Sequence, residues 1–173
     1  MKISIINKQR KIFLDTKFLK KAALYIGNKF DKSDNVQVNI IFTSIKKIKE
    51  LNKNYRNIDQ PTDVLSFSYL NNYLNNNSKA KLGYNAKQIN EEIIEIGEII
   101  ICPEIAKLNI NTGNAATGNS ANSIEINKEI IFLIIHGFLH LFGYDHEKKK
   151  EKIDFDNIQK NLFSDVLNHL MIF

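Results

Sequence analysis

Cysteine is almost missing from this chain. Cys102 is the only one among 173 residues, so an internal disulfide is excluded and a reducing compartment is expected. Proline is nearly as scarce, with two residues; Pro61 closes a loop and Pro103 suits the first turn of a helix. No apolar run is long enough for a bilayer span, and the longest is interrupted by histidines. The opening residues, Met1-Lys2-Ile3-Ser4-Ile5-Ile6-Asn7, are too few for a secretory signal and lack its cleavage site. These absences point to the cytoplasm.

What is present is ordinary for a globular protein, with 43% hydrophobic and 25% charged residues. The length suits one domain over residues 1–173 with a proper core. Lys and Arg number 24 against 19 Asp and Glu, a net charge of +5. That excess favours an anionic partner such as RNA. It is a weak signal here, because Ile, Asn and Lys are used heavily throughout, as an A·T-rich coding bias would produce. Lys148, Lys149, Lys150 and Lys152 read as a solvated helix start.

Residues 3–6 and 11–14 read as short extended segments, and 36–42 alternates before turning apolar, as a strand does. Asp15 can cap a helix through Phe18, Leu19, Ala22, Ala23, Tyr25 and Ile26. Ser44 can cap a second that ends near Tyr55. Residues 63–68 and 93–102 look like strands, with Gly97 marking a bulge or a close ligand approach. Residues 71–90 are Asn-rich and read as a surface excursion. Residues 109–123 fit helix or loop equally. A buried helix is expected from about Glu125 to Phe142. The last helix, from about Glu147 to Leu170, presents Ile153, Ile158, Leu162, Val166 and Leu170 as its apolar side. Mixed strands and helices argue for an α/β (α+β) fold, a mixed sheet packed by helices around a buried metal-bearing helix.

That helix carries His136 and His140, and His146 follows, a His-x3-His-x5-His spacing. Residues four apart lie on one helix face, so the first two imidazoles can grip one ion. Gly143 offers a left-handed stop, after which the chain can turn back and deliver His146. Three neutral imidazoles suit Zn²⁺ and leave a fourth position for water. The plainer reading, histidines hydrogen-bonded in a core, explains one such residue better than two adjacent imidazoles among apolar neighbours. His169, alone in the last helix, keeps the plainer reading, and Cys102 reads as a small core residue.

The block from His136 to His146 resembles the signature of the YbeY family of metal-dependent endoribonucleases. Two more blocks agree in order and spacing: Leu51-Asn52-Lys53-Asn54-Tyr55-Arg56 with Asp59 and Pro61-Thr62-Asp63-Val64-Leu65-Ser66-Phe67, and Ile96-Gly97-Glu98-Ile99-Ile100-Ile101. The family more usually has Asp where Glu98 stands, and residues 71–90 exceed its pattern in length. The resemblance implies a zincin-like fold, a bound zinc ion and cytoplasmic work on single-stranded RNA. It further implies 3′-end maturation of small-subunit ribosomal RNA and ribosome quality control, with a small-subunit ribosomal protein and an assembly GTPase as partners. It also makes Arg56 the catalytic cation, where position alone suggests a solvated surface residue.

Zinc proteases of the His-Glu-x-x-His type place a general base where this chain has Gly137. Peptide hydrolysis by that route is therefore disfavoured. A zinc ion lowers the pKa of bound water towards roughly 7 without a neighbouring carboxylate, and the arginine fork suits phosphate oxygens. Gly137 is expected to leave open space beside the ion. Asp145 can cap the last helix or orient an imidazole through its other nitrogen, with the cap favoured. Asp63 is read as a residue orienting its loop, and Tyr144 as a stacking or packing ring. Besides the nuclease, a peptidase with an unusual base and a non-catalytic assembly factor stay in competition.

Overall fold

The computed structural model describes residues 1–69, 93–113, 122–144 and 149–170. Among them, strands β1 (Lys2–Asn7), β2 (Val36–Phe42), β3 (Val64–Ser68) and β4 (Ile94–Ile101) form one sheet in the order β1-β2-β4-β3. β1, β2 and β4 run parallel, and β3 pairs antiparallel along the outside of β4. Five helices among the described residues accompany them: α1 (Thr16–Phe30), α2 (Ile45–Arg56), α3 (Pro103–Gly113), α4 (Ser123–Leu141) and α5 (Lys149–His169). None of the helices among the described residues is long and apolar enough to cross a membrane.

β2 and β4 are apolar along most of their length because helices cover both sheet faces. Val36, Val38, Ile40 and Phe42 join Ile96, Ile99 and Ile101 in the larger core, with α1, α4 and α5 packed on them. Ile100, Leu65 and Cys102 point the other way, onto Ile48 of α2. α2 is therefore held lightly, with Ile48 and Asn52 as its buried residues. Cys102 is fully buried, as its apolar setting suggested, and burial pushes its thiol pKa up.

Local chemistry sets the element ends. Asp15 accepts from Phe18 N at 3.0 Å, and Ser44 accepts from Lys47 N at 3.4 Å. α4 opens two residues earlier than the apolar pattern suggests, because Asn122 and Glu125 form a reciprocal capping box. Residues 109–113 complete α3, which resolves part of the undecided stretch; residues 114–121, like the Asn-rich residues 71–90, lie outside the described set. Residues 11–14 are not a strand. The buried Gln9 side chain folds them into a turn, accepting from Lys11 N and Ile12 N at 2.9 Å and donating to Ile12 O at 2.8 Å.

Of two further expectations, one holds and one changes in part. Gly97 does sit beside a bulge, where the β2–β4 register skips between Gln37 and Val38. The close approach there is by the Leu141 side chain and the Phe67 carbonyl, each 2.5 Å from where a Cβ would stand. The apolar side of α5 largely holds, with Val166 buried and Ile158, Leu162 and Leu170 packed against the core. The exception is Ile153, 55% exposed, while Phe155 and Gln159 are buried. Gln159 occupies the core side because its Nε2 donates to Phe132 O at 3.2 Å. His169 is exposed rather than a core residue, and it stacks on Tyr25 with ring centroids 3.9 Å apart.

Candidate active site

α4 is buried on nearly every side, and Glu129, Phe132, His136 and His140 form its half-open stripe. The stripe follows from spacing, since positions 129, 132, 136 and 140 fall on one helix face. The two imidazoles converge with Nε2 atoms 3.1 Å apart and ring centroids 4.7 Å apart. Phe155 of α5 packs 5.1 Å from both rings and fixes them from behind.

The helix stops as the glycine foretold. Gly143 has φ +83°, Gly143 N donates to His140 O at 3.1 Å, and Tyr144 N donates to Leu139 O at 3.0 Å. Those two bonds are a Schellman motif, which consumes carbonyls the helix end would leave unpaired. α5 then returns along α4, with Phe155 beside the histidines and Gln159 near Phe132. Asp145 and His146 lie between α4 and α5 in sequence and outside the described residues.

Across from the histidines runs the edge strand β3. Ser68 Oγ donates to Leu141 O at 3.1 Å, which ties the end of α4 to that strand. The C-terminal turn of α2 overhangs it and ends at Asn57, a left-handed cap with φ 59°. A cleft of about 490 Å³ opens between these elements, lined by Tyr55 and Arg56 of α2, residues 64–67 of β3, and His136 and His140. Arg56 is exposed and lies far from the histidines in sequence, yet it shares their cleft.

Asp63 sits at the foot of β3 and is occupied with structure. Its Oδ1 accepts from Val64 N at 2.8 Å and Thr62 Oγ1 at 3.2 Å, and its Oδ2 accepts from Asn109 Nδ2 at 3.0 Å. Those bonds orient the loop, as anticipated. Burial, with a smaller push from Asp63, raises the Glu129 carboxyl above its ordinary pKa. Sequence reasoning passed over Glu129; its position seven residues before His136 was the available signal.

Gly137 corrects an expectation. A Cβ built there meets three side-chain carbons of Ile99 at 2.6–2.8 Å. The glycine thus lets α4 lie close on β4, and the space beside it is filled by Ile99 rather than open. A carboxylate at this position would be driven into the sheet.

The donor set fits a nitrogen-liganded ion. Two nitrogens on one tetrahedral zinc stand about 3.3 Å apart when each Zn–N bond is about 2.0–2.1 Å, close to the separation seen. Among the described residues, no three His, Cys, Asp or Glu side chains converge, and the third histidine lies outside that set.

The sequence profile of the family described as Endoribonuclease YbeY matches residues 4–167. The chain belongs to the YbeY family. Endoribonuclease YbeY of Dehalococcoides mccartyi (strain 195) is 37% identical over 149 residues, covering 86% of this chain and 80% of that protein. Endoribonuclease YbeY of Syntrophomonas wolfei is 31% identical over 176 residues, with 99% of each chain covered. The solution structure of TM1509 from Thermotoga maritima superimposes with a TM-score of 0.54 at 28% identity, covering 97% of this chain and 91% of that one. The mixed sheet and its helices are thus a YbeY-type α/β fold.

Proposed function

We propose that this chain is a zinc-dependent, single-strand-specific endoribonuclease of small-subunit ribosomal RNA 3′-end maturation and ribosome quality control, with residues 1–173 as one cytoplasmic catalytic domain. The observation that carries the reading is the cleft where Arg56 meets His136 and His140. His136, His140 and His146 would hold the ion, which supplies Lewis acidity and a lowered pKa for water.

The chain's own residues then have separate tasks. Phe155 holds the two imidazoles in place. Arg56 directs a bidentate fork at the phosphate and offsets the charge that grows on its oxygens. Gly137 brings no carboxylate to the cleft, which counts against the peptidase reading. The ribosomal setting, including a small-subunit ribosomal protein and an assembly GTPase as partners, rests on family membership.

The test uses purified protein with labelled single-stranded RNA and with a denatured polypeptide, each with and without chelator. RNA cleavage that chelator abolishes is expected, with the polypeptide intact. Arg56→Ala should keep its fold and metal content while losing about 10²–10³-fold in cleavage, the scale of one lost charge-stabilising donor. His136→Ala and His140→Ala should lose metal and cleavage together. RNA left uncut by metal-loaded protein would overturn the assignment.

A further inference from the structure

The cleft has a charged approach. α2 carries Lys46, Lys47, Lys49, Lys53 and Arg56 against a single acid, Glu50. Lys47 is taken by Glu50 at 2.7 Å. The other four cations are spaced three, four and three residues apart, which places them along one helix face. All four are exposed. At 1.5 Å per residue the row is about 15 Å long, and its last member, Arg56, lines the cleft. A lysine-rich chain will carry many solvated charges, but a scattered surface excess does not form a file that ends at the reactive centre.

Two details refine the row. Asp59, in the loop after α2, reaches back to Lys49 at 3.5 Å and Lys53 at 3.4 Å, and those lysines hold its carboxyl below the usual range. All three side chains are exposed, and ion pairs of that kind are weak enough to be exchanged for another anion. Where the row ends, Tyr55 is 66% exposed, lines the cleft, and is braced by Phe67 with ring centroids 4.8 Å apart. An aromatic face beside a cationic track is how single-stranded nucleic acid is held without regard to sequence.

We propose that Lys46, Lys49 and Lys53 form the track on which the backbone of single-stranded RNA enters the cleft, with Tyr55 stacking on a base at its end. The proposal rests on the endoribonuclease reading and adds a binding site outside the reacting groups. Asp59 occupies Lys49 and Lys53 until phosphates displace it.

The test measures RNA binding across a salt series, together with cleavage kinetics, for metal-loaded wild type, the Lys46→Ala/Lys49→Ala/Lys53→Ala variant, Asp59→Asn, Tyr55→Ala and Tyr55→Phe. The triple variant should raise KM about 10–100-fold near 0.1 M salt and flatten the log–log salt slope by about 2, at roughly 0.7 per phosphate contact. Its kcat should change far less. Asp59→Asn should move binding the opposite way, tightening it a few-fold. Tyr55→Ala should weaken binding at every salt concentration, and Tyr55→Phe should restore it. A structural role, with the lysines merely tethering the loop through Asp59, would send the lysine and Asp59 variants in the same direction.

Wild type that cuts RNA while the triple variant keeps the same KM and salt slope overturns the track and leaves the enzyme assignment standing. Equal displacement of RNA from wild type and triple variant by polyglutamate also overturns it. Wild type that cuts no RNA overturns the enzyme assignment instead.

Discussion

Replacing Gly137 by alanine separates two views of that residue. Helix propensity alone favours the change by about 1 kcal/mol. The added methyl, however, would stand 2.6, 2.8 and 2.8 Å from Cγ2, Cδ1 and Cγ1 of Ile99, far inside the roughly 3.5–4.0 Å of carbon contact. Ile99 is fully buried in the larger core and cannot swing into solvent. Overpacking of this kind costs about 1–3 kcal/mol, and three simultaneous clashes argue for its upper half. The expected outcome is therefore a net loss of about 1–2 kcal/mol, the strain exceeding the propensity gain. Urea unfolding followed by circular dichroism measures it. Ile99→Ala alone should cost about 2–5 kcal/mol through the cavity it leaves. In the double variant the new methyl enters that cavity, so the combined loss should be smaller than that of Ile99→Ala alone. The coupling should reach about 2 kcal/mol, within the range for contacting residues. Additive losses, or a Gly137→Ala protein more stable than wild type, would refute the claim that this glycine exists for the helix–sheet contact.

Three other changes test the frame around the cleft. Gly143→Ala should cost about 1 kcal/mol, all of it from the left-handed backbone, since nothing lies within 4 Å of the added carbon; thermal unfolding should show Gly143→Asn losing less. Asn122→Ala removes an oxygen that accepts from Ile124 N and Glu125 N at 2.9 Å each and should cost about 1 kcal/mol in urea unfolding. Glu129→Gln should stabilise the fold at neutral pH. The raised carboxyl of Glu129 keeps its proton to higher pH in the folded chain, so stability falls as pH rises above its ordinary 4.5. Unfolding curves for wild type and variant should converge below that value, and a gap persisting there would refute the burial argument.

Features built from neighbouring residues were legible in the sequence. Asp15, Ser44 and Gly143 act within one or two turns of themselves, and the four-residue step of His136 and His140 fixes their shared face whatever the tertiary surroundings. The sheet was legible in part for the same reason, because residues 36–42 and 93–102 carry their apolar strand pattern within a few neighbouring positions. Residues whose meaning depends on a distant partner were misjudged. Gly137 looked like an opening because its neighbour Ile99 lies on a strand, β4, remote in sequence. Ile153 kept the helical period of α5, but at that end of the helix the buried positions are Phe155 and Gln159, which attach to α4. Residues 11–14 carry apolar strand-like spacing, and the Gln9 side chain overrode it by supplying hydrogen bonds that a sheet would otherwise provide.

Arg56 stands between these cases. Nothing local distinguishes it from the lysines of its helix, and the family pattern alone singled it out. The fold gives that pattern a physical basis: α2 keeps only Ile48 and Asn52 buried, so its charged face is left outside. The Asn57 cap ends the helix beside β3, the edge strand among the described residues. A terminal cation there necessarily looks across β3 towards α4. The lysines one, two and three turns earlier inherit the same line, which is why cations predominate on the approach to the cleft.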